Sequence, residues 1–333
     1  MLMRKFINKP GDVAMETLEG YLAVTSGRTS RVPGTLGLIR RELTDRVVVL
    51  VGGGSGHEPV WLEYVGEGLA DAVCQGDVFA APDPMSIATV AAAAHRGHGV
   101  LFLYGNYAGD RLNFDLAAEE LAADGIVTRT VRVADDVAAA PFDRRDDRRG
   151  IAGGYFATRI AAAAAARGDH LDAVADITQR AVDRTRSIGV AGAGGTIPGS
   201  DEPTLVVPDG RLEIGMGMHG EKGVWAGDFL SADATTDKML ELLLTDRPLD
   251  GDHPVAVLVN GLGATTRAEL LIVSRRLLNC LAEQAIEVVD THIGEYATSQ
   301  EMHGFSISLF ELDDELTQLY HGSVEATFAG GLA

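Results

Sequence analysis

The 333 residues carry 48 acidic against 28 basic side chains, a formal net charge of −20, with 46% apolar and 23% charged residues. That length predicts about two domains, and the composition is that of an ordinary soluble globular protein. The acidic excess excludes a nucleic-acid-binding surface, which needs clustered Lys and Arg to displace counterions, and it excludes broad adhesion to an anionic membrane.

The two cysteines, Cys74 and Cys280, supply neither a disulfide framework nor a zinc spacing, and they fit a reducing cytoplasm. The N-terminal Met1–Phe6 lacks the apolar core of a signal peptide. The longest nearly charge-free run, Ile160 to Ala166, falls far short of the ~20 residues of a membrane span. Disorder is expected only in the Gly/Ala-rich stretch Ala326 to Ala333.

In chain order, Val47–Val51, Val100–Tyr104 and Val127–Val133 are short β-branched runs that predict buried strands. Met85–His95, Leu112–Ala123 and Ile160–Arg167 predict helices. Their alternation implies an α/β fold whose first domain, 1–185, has a mainly parallel sheet flanked by helices. Beyond a boundary near Arg184–Arg186, strands are expected at Ile188–Ala191, Leu205–Val207, Leu212–Met218, Val255–Asn260, Ile286–Asp290 and Ser306–Leu312. Helices are expected at Asp237–Leu244 and Thr265–Glu283. Several of these strands follow one another directly, so the second α/β domain, 186–333, is expected to hold a mixed sheet.

The segment Gly52-Gly53-Gly54-Ser55-Gly56-His57-Glu58-Pro59 follows the first strong strand. A tight turn needs one or two glycines, and four in five positions point to a site at a strand end. No P-loop is present, because Glu221 follows Gly220 where a Lys is required. Gly215 to Gly220 matches the dinucleotide pattern G-x-G-x-x-G, but no helix start follows to receive a pyrophosphate. The histidines and cysteines show no zinc spacing, and Ser55 lies outside a G-x-S-x-G elbow. No metal ligand is expected.

Among nine histidines, His57 and His219 stand apart: each is embedded in glycines, lies just past a strand and is followed within two positions by a Glu. Glycine neighbours leave an imidazole open to a ligand. Glu58 and Glu221 suit two tasks, orienting a ring or capping backbone amides. Asp110 follows the second of these strands in Tyr104-Gly105-Asn106-Tyr107-Ala108-Gly109-Asp110, either as a site carboxylate or as the N-cap of the next helix.

Taken in order, several segments resemble the substrate-binding K subunit of the dihydroxyacetone kinase family, over nearly the whole chain. They are Phe6-Ile7-Asn8, Gly52 to Pro59, Asn106 to Phe114, Arg148-Arg149-Gly150, Ser187 to Ala191, Gly217 to Glu221, Asn260 to Thr265 and Gly304 to Ser308. The resemblance implies a homodimer of two-domain protomers. It places the substrate-anchoring histidine on His219, where attack on a ketone carbon gives a hemiaminal. It places the catalytic base on His57 and the catalytic aspartate on Asp110, with Gly54, Ser55 and Gly56 lining the ketose and Gly105 and Asn106 beside it. A neutral imidazole is a competent nucleophile for a small ketone. Covalent capture rejects glycerol, which lacks the carbonyl.

Two departures stand out. Many relatives carry a Lys where this chain has Gly105, and a Cys in the segment that here runs Gly194 to Pro198. The missing Lys side chain is expected to open space or remove a hydroxyl contact, which admits the four-carbon erythrulose as an alternative to dihydroxyacetone. The resemblance also implies that ATP or ADP with Mg2+ binds on a separate all-helical L domain, so this chain is expected to bind no nucleotide. It is expected to work with an L-type subunit, ATP-using or fed by a phosphotransferase relay, or to be a truncated fused kinase. Two rivals stand beside this kinase reading. One is a non-catalytic ketose sensor that activates a transcription regulator, which needs His219 but not His57. The other is an NAD-dependent oxidoreductase resting on Gly215–Gly220.

Overall fold

A computed structural model describes residues 5–25, 27–249 and 251–322, which gather into two units, each built on its own six-stranded sheet. The expected disordered stretch Ala326–Ala333 lies outside the described residues. The first unit takes its described residues from 5–133, 154–181 and 316–322, the second from 134–153 and 182–315. The chain therefore does not divide once near 185. The segment 134–153 packs with the later half, and the chain then returns to the first unit before leaving it at residue 182.

The strands of the first unit are β1 (Thr29–Val32), β2 (Gly37–Arg40), β3 (Val48–Ser55), β4 (Ala72–Val78), β5 (Val100–Gly105) and β6 (Thr128–Val133), in the order β1-β2-β4-β3-β5-β6. β4, β3, β5 and β6 run parallel, and β1 and β2 add an antiparallel edge. The run Val48–Val51 is buried throughout, the pattern of a strand covered on both faces. Its helices are α1 (Val13–Val24), α2 (Pro84–Ala94), α3 (Ala108–Ala123), α4 (Gly154–Arg167) and α5 (Leu171–Asp183). Leu50, Phe102 and Tyr104 form one core with Ile87 and Val90 of α2 and Phe114 and Leu121 of α3. Tyr104 stacks on Phe114 at 4.2 Å, and each such buried aromatic contributes about 1.5–3 kcal/mol. In α4 the six alanines Ala161–Ala166 favour helix strongly, and residues 154–165 are all buried.

The second unit holds β7 (Thr185–Ala193), β8 (Arg211–Ile214), β9 (Trp225–Asp228), β10 (Val255–Gly261), β11 (Val288–Gly294) and β12 (His303–Glu311), ordered β11-β10-β12-β7-β8-β9. Only β10 and β11 pair in parallel, so this sheet is mixed, as expected. Leu240 and Leu243 of α6 (Ala232–Asp246) and Val273 and Leu277 of α7 (Arg267–Glu283) close the core over Ile188, Val257 and Ile307. A capping box between Thr266 and Glu269 starts α7. The expected strand Leu212–Met218 stops at Ile214, because Gly215 turns the chain with φ +82°. The expected strand Leu205–Val207 does not form. Its backbone lies against Gly194, and Leu205 is buried with Met216 and Leu262 instead. Among the described residues no helix is long and apolar enough to cross a membrane.

Candidate active site

In the first unit the site residues leave the C-terminal ends of two neighbouring parallel strands, β3 and β5, the edge where α/β sheets place their ligands. β3 ends at Ser55, whose hydroxyl is buried and has no hydrogen-bond partner among the described residues. Gly56 turns the chain at φ +90°, and both carboxylate oxygens of Glu58 accept its N–H at 3.0 Å. Gln75 Nε2 donates to the same carboxylate at 3.4 Å. This fixes His57, which is only 3% exposed and stacks on Phe79 with ring centres 4.4 Å apart and planes 15° apart. Phe79 itself has φ +58°. Gly54 is needed for close approach, since a Cβ there would lie 2.8 Å from the Ala80 nitrogen.

On the β5 side, Gly105 ends the strand and the Asn106 N–H donates to the Val133 carbonyl at 3.0 Å. α3 begins at Ala108, four residues before the expected Leu112, and its N-cap position is Tyr107. Asp110 is therefore not the cap. It is a buried carboxylate, 8% exposed, in the first helical turn, where the helix dipole favours negative charge. Position 105 is flanked by two aromatic rings. A Cβ there would meet the Tyr107 ring at 3.0 Å and Trp61 Cζ2 at 3.9 Å.

His219 belongs to the second unit, on the loop between β8 and β9. The loop is tied by Gly220 N–H to Gly217 O at 3.1 Å and by Gly217 N–H to Glu221 O at 3.0 Å. Glu221 accepts the His219 N–H at 3.0 Å, and its other carboxylate oxygen lies 3.5 Å from His219 Nδ1. Behind it, Arg149 stands 3.9 Å from Glu221 and donates twice to Asp136, at 2.7 and 3.0 Å, and to the Gly215 carbonyl at 3.1 Å. Ser299 Oγ donates to the Met218 carbonyl, adding a tie to the neighbouring residue.

The charges along this brace are shifted in opposite directions. Burial opposes ionisation of Glu221, but the hydrogen bond from His219, its own backbone N–H, and the charges of His219 and Arg149 outweigh it and hold the carboxyl at about 2. Burial lifts Asp136 to about 7, with Arg149 pulling it down and the neighbouring Asp135 carboxylate adding to the rise. The His219 side chain remains 30% exposed. A carboxylate at Nδ1 favours the tautomer with its proton there, which puts the ring's lone pair on Nε2.

His57, Gly54, Ser55, Gly56, Gly105, Asn106 and Asp110 thus share one strand edge, while His219 stands in the other unit. Both expected tasks of the glutamates are realised: Glu58 and Glu221 each cap the amide two residues before them, and Glu221 also faces its histidine ring. Phe79, Trp61, Asp136 and the bracing task of Arg149 are additions from the structure. Only Arg149 carried a sequence signal, within Arg148-Arg149-Gly150.

The Dak1 domain model matches residues 19–328. The chain is 40% identical over 329 residues to an L-erythrulose kinase of Pectobacterium atrosepticum, covering 97% of this chain and 56% of that one. It is 38% identical to a PTS-dependent dihydroxyacetone kinase 2, dihydroxyacetone-binding subunit DhaK, of Listeria innocua, covering 95% of this chain and 96% of the relative. Among solved structures, the dihydroxyacetone kinase of C. freundii in complex with AMP-PNP and Mg2+ superposes with a TM-score of 0.88 at 30% identity, over 95% of this chain and 59% of that one. The chain spans a little over half the length of the erythrulose kinase and of the C. freundii kinase, but nearly all of the Listeria subunit. A family match over most of its length, together with the strand-end glycines and both histidine loops, shows that this chain belongs to the Dak1 domain family.

Proposed function

We propose that this chain is the ketose-binding part of a kinase for ketoses of three or four carbons, dihydroxyacetone or erythrulose. The observation that carries the reading is the His219 brace, a partly exposed imidazole whose Nδ1 faces a carboxylate held ionised by its surroundings. In the proposed step the Nε2 lone pair attacks the ketone carbon. The carbonyl oxygen gains a proton as Nδ1 gives one up, and the product is a hemiaminal. His57, with Asp110 on the neighbouring strand end, takes the proton of the terminal hydroxyl. The buried, unpartnered Ser55 hydroxyl supports a polyol bound at this edge. The names of the two relatives support the same substrate class.

The phosphoryl donor is proposed to be ATP or ADP with Mg2+ on an L-type unit, or a phosphotransferase relay, with this chain acting as a homodimer in the cytoplasm. A ketose sensor would need only His219; the buried His57 and Asp110 favour catalysis. Calorimetry with dihydroxyacetone, each erythrulose enantiomer and glycerol, on the wild type and His219→Ala, tests the anchor. Binding of a ketose but not glycerol, lost in the variant, is the expected result. Equal binding of all four, or no effect of the substitution, overturns it.

A further inference from the structure

Four non-glycine residues among those described have positive φ, and two of them, Trp61 and Phe79, stand at the β3 strand end. Phe79 is accounted for by its stack on His57. Trp61 is not. It is the centre of a three-residue γ-turn, φ +68° and ψ −72°, closed by the Leu62 N–H donating to the Val60 carbonyl at 3.1 Å. This is a rare and strained turn, and for a bulky aromatic it persists only where the surroundings hold it. Such strain gathers at ligand sites.

What the turn achieves is the placement of the indole. Trp61 Nε1 lies 2.5 Å from where a Cβ on Gly53 would stand, and Cζ2 lies 3.9 Å from that of Gly105. Gly52 pairs with Tyr104, so Gly53 and Gly105 are the next residues of the two adjacent strands. The indole therefore spans the ends of β3 and β5, backed edge-on by Tyr64 at 6.5 Å. Gly53 is required by its presence, while the ring lies at ordinary contact distance from position 105. The side chain is about nine-tenths buried, and among the described residues its N–H finds no acceptor. Two residues beyond Gly53, the Ser55 hydroxyl is also buried and unpartnered. Buried polar groups are ordinarily paired, so the buried Ser55 hydroxyl, with an indole N–H close by that bonds no described residue, marks the place of a polar ligand.

We propose that Trp61 is a specificity-determining residue of the ketose site: its ring walls the ketose over Gly53 and Gly105, and its N–H donates to a ketose hydroxyl oxygen. This rests on the ketose reading above. An indole N–H can only donate, so it selects a hydroxyl or carbonyl oxygen. A site built to bond a hydroxyl discriminates strongly, because an unmatched partner stays buried and unpaired. The ring occupies the room that a side chain at position 105 would otherwise contest, so the length and handedness of the ketose are set by an aromatic wall.

The chain has two tryptophans, Trp61 and Trp225, which makes a direct test possible. In Trp225→Phe, Trp61 is the sole emitter, and its fluorescence is expected to shift saturably with ketose, at the midpoint measured by calorimetry, and not with glycerol. Trp61→Phe keeps an apolar ring and removes the donor. It is expected to weaken the preferred ketose about tenfold and to narrow the preference between dihydroxyacetone and the two erythruloses. If the wild type binds a ketose but the Trp61 emission stays flat at saturation, or Trp61→Phe keeps the same affinities, the role of Trp61 is wrong and the ketose reading stands. If the wild type binds no ketose, both fall.

Discussion

The two histidine loops follow one plan and end in opposite settings. Each leaves a strand, passes through glycines, and has a glutamate whose carboxylate accepts the amide two residues earlier. His57 is then fixed by packing: it is 3% exposed and stacked on Phe79. His219 is fixed by charge, through Glu221, Arg149 and Asp136, and its side chain keeps 30% of its surface. A nucleophile must be reached by its substrate, whereas a general base gains from a rigid, poorly hydrated place beside the proton it takes. On the proposed reading, the same local motif is turned to two chemistries by what lies behind it.

The sharpest way to break this contrast is to remove each imidazole in turn. His219→Ala is expected to weaken ketose binding at least about a hundredfold, equivalent to about 2.8 kcal/mol. His57→Ala should leave binding within a few-fold of wild type. With a phosphoryl-donating partner supplied, the same variant should slow transfer by about 10²- to 10⁴-fold. Calorimetry and a coupled transfer assay on the same two proteins measure both halves. If His57→Ala abolishes binding as thoroughly as His219→Ala, the division into base and anchor is mistaken.

A smaller effect should come from adding one methyl group to each loop. On Gly217 a Cβ would collide with the Glu221 carboxylate and come 2.6 Å from Arg149 Nη1, so Gly217→Ala pushes at the brace itself. About a tenfold loss of ketose affinity is expected, with little change in stability, because the displaced groups are partly exposed side-chain ends. On Gly53 the methyl would meet the Trp61 ring, which is buried. Gly53→Ala should therefore cost stability, about 1–3 kcal/mol by urea unfolding, as overpacking does. Equal stability losses at the two sites would show that packing holds both loops.

The contrast also marks what could be read from the chain. The run Val48–Val51 announces a buried parallel strand, and glycine-flanked histidines announce loops with reachable rings; both were legible because the signal is local. β4 carries no such signal, since Ala72–Val78 interrupts its apolar residues with Gln75, Gly76 and Asp77. Propensity alone starts α3 late, because Gly109 is a poor helix former, yet it lies within the first turn. The strained turn at Trp61 has no residue pattern at all, as its φ is imposed by tertiary packing. The brace is non-local: Arg149 meets Glu221 across 72 positions (221 − 149), and Asp136 joins it because segment 134–153 crosses to the second unit. The missing side chain at Gly105 suggested an opening. The structure sets the Tyr107 ring close against that position and Trp61 at contact distance, and neither ring can be aimed from the sequence.

The mildest probe concerns pH at the brace. The Glu221 carboxyl is lowered from 4.5 to about 2 in the folded chain, so the native state holds fewer protons there than the unfolded one between those values. Stability from this group is then fully present above about pH 4.5 and is lost as pH falls toward 2. Glu221→Gln keeps an acceptor for the His219 amide and removes the charge. Its thermal midpoint should sit below that of the wild type, by about a degree or two for so exposed a pair, at pH 6 to 8. The gap should close as the pH is lowered through the window from 4.5 to 2. A gap that widens on acidification would mean that the carboxylate is not the stabilised form, and the charge-held description of His219 would fail with it. A gap that is constant with pH would show that the Glu221 charge adds nothing to stability, making the second loop a turn held by packing like the first.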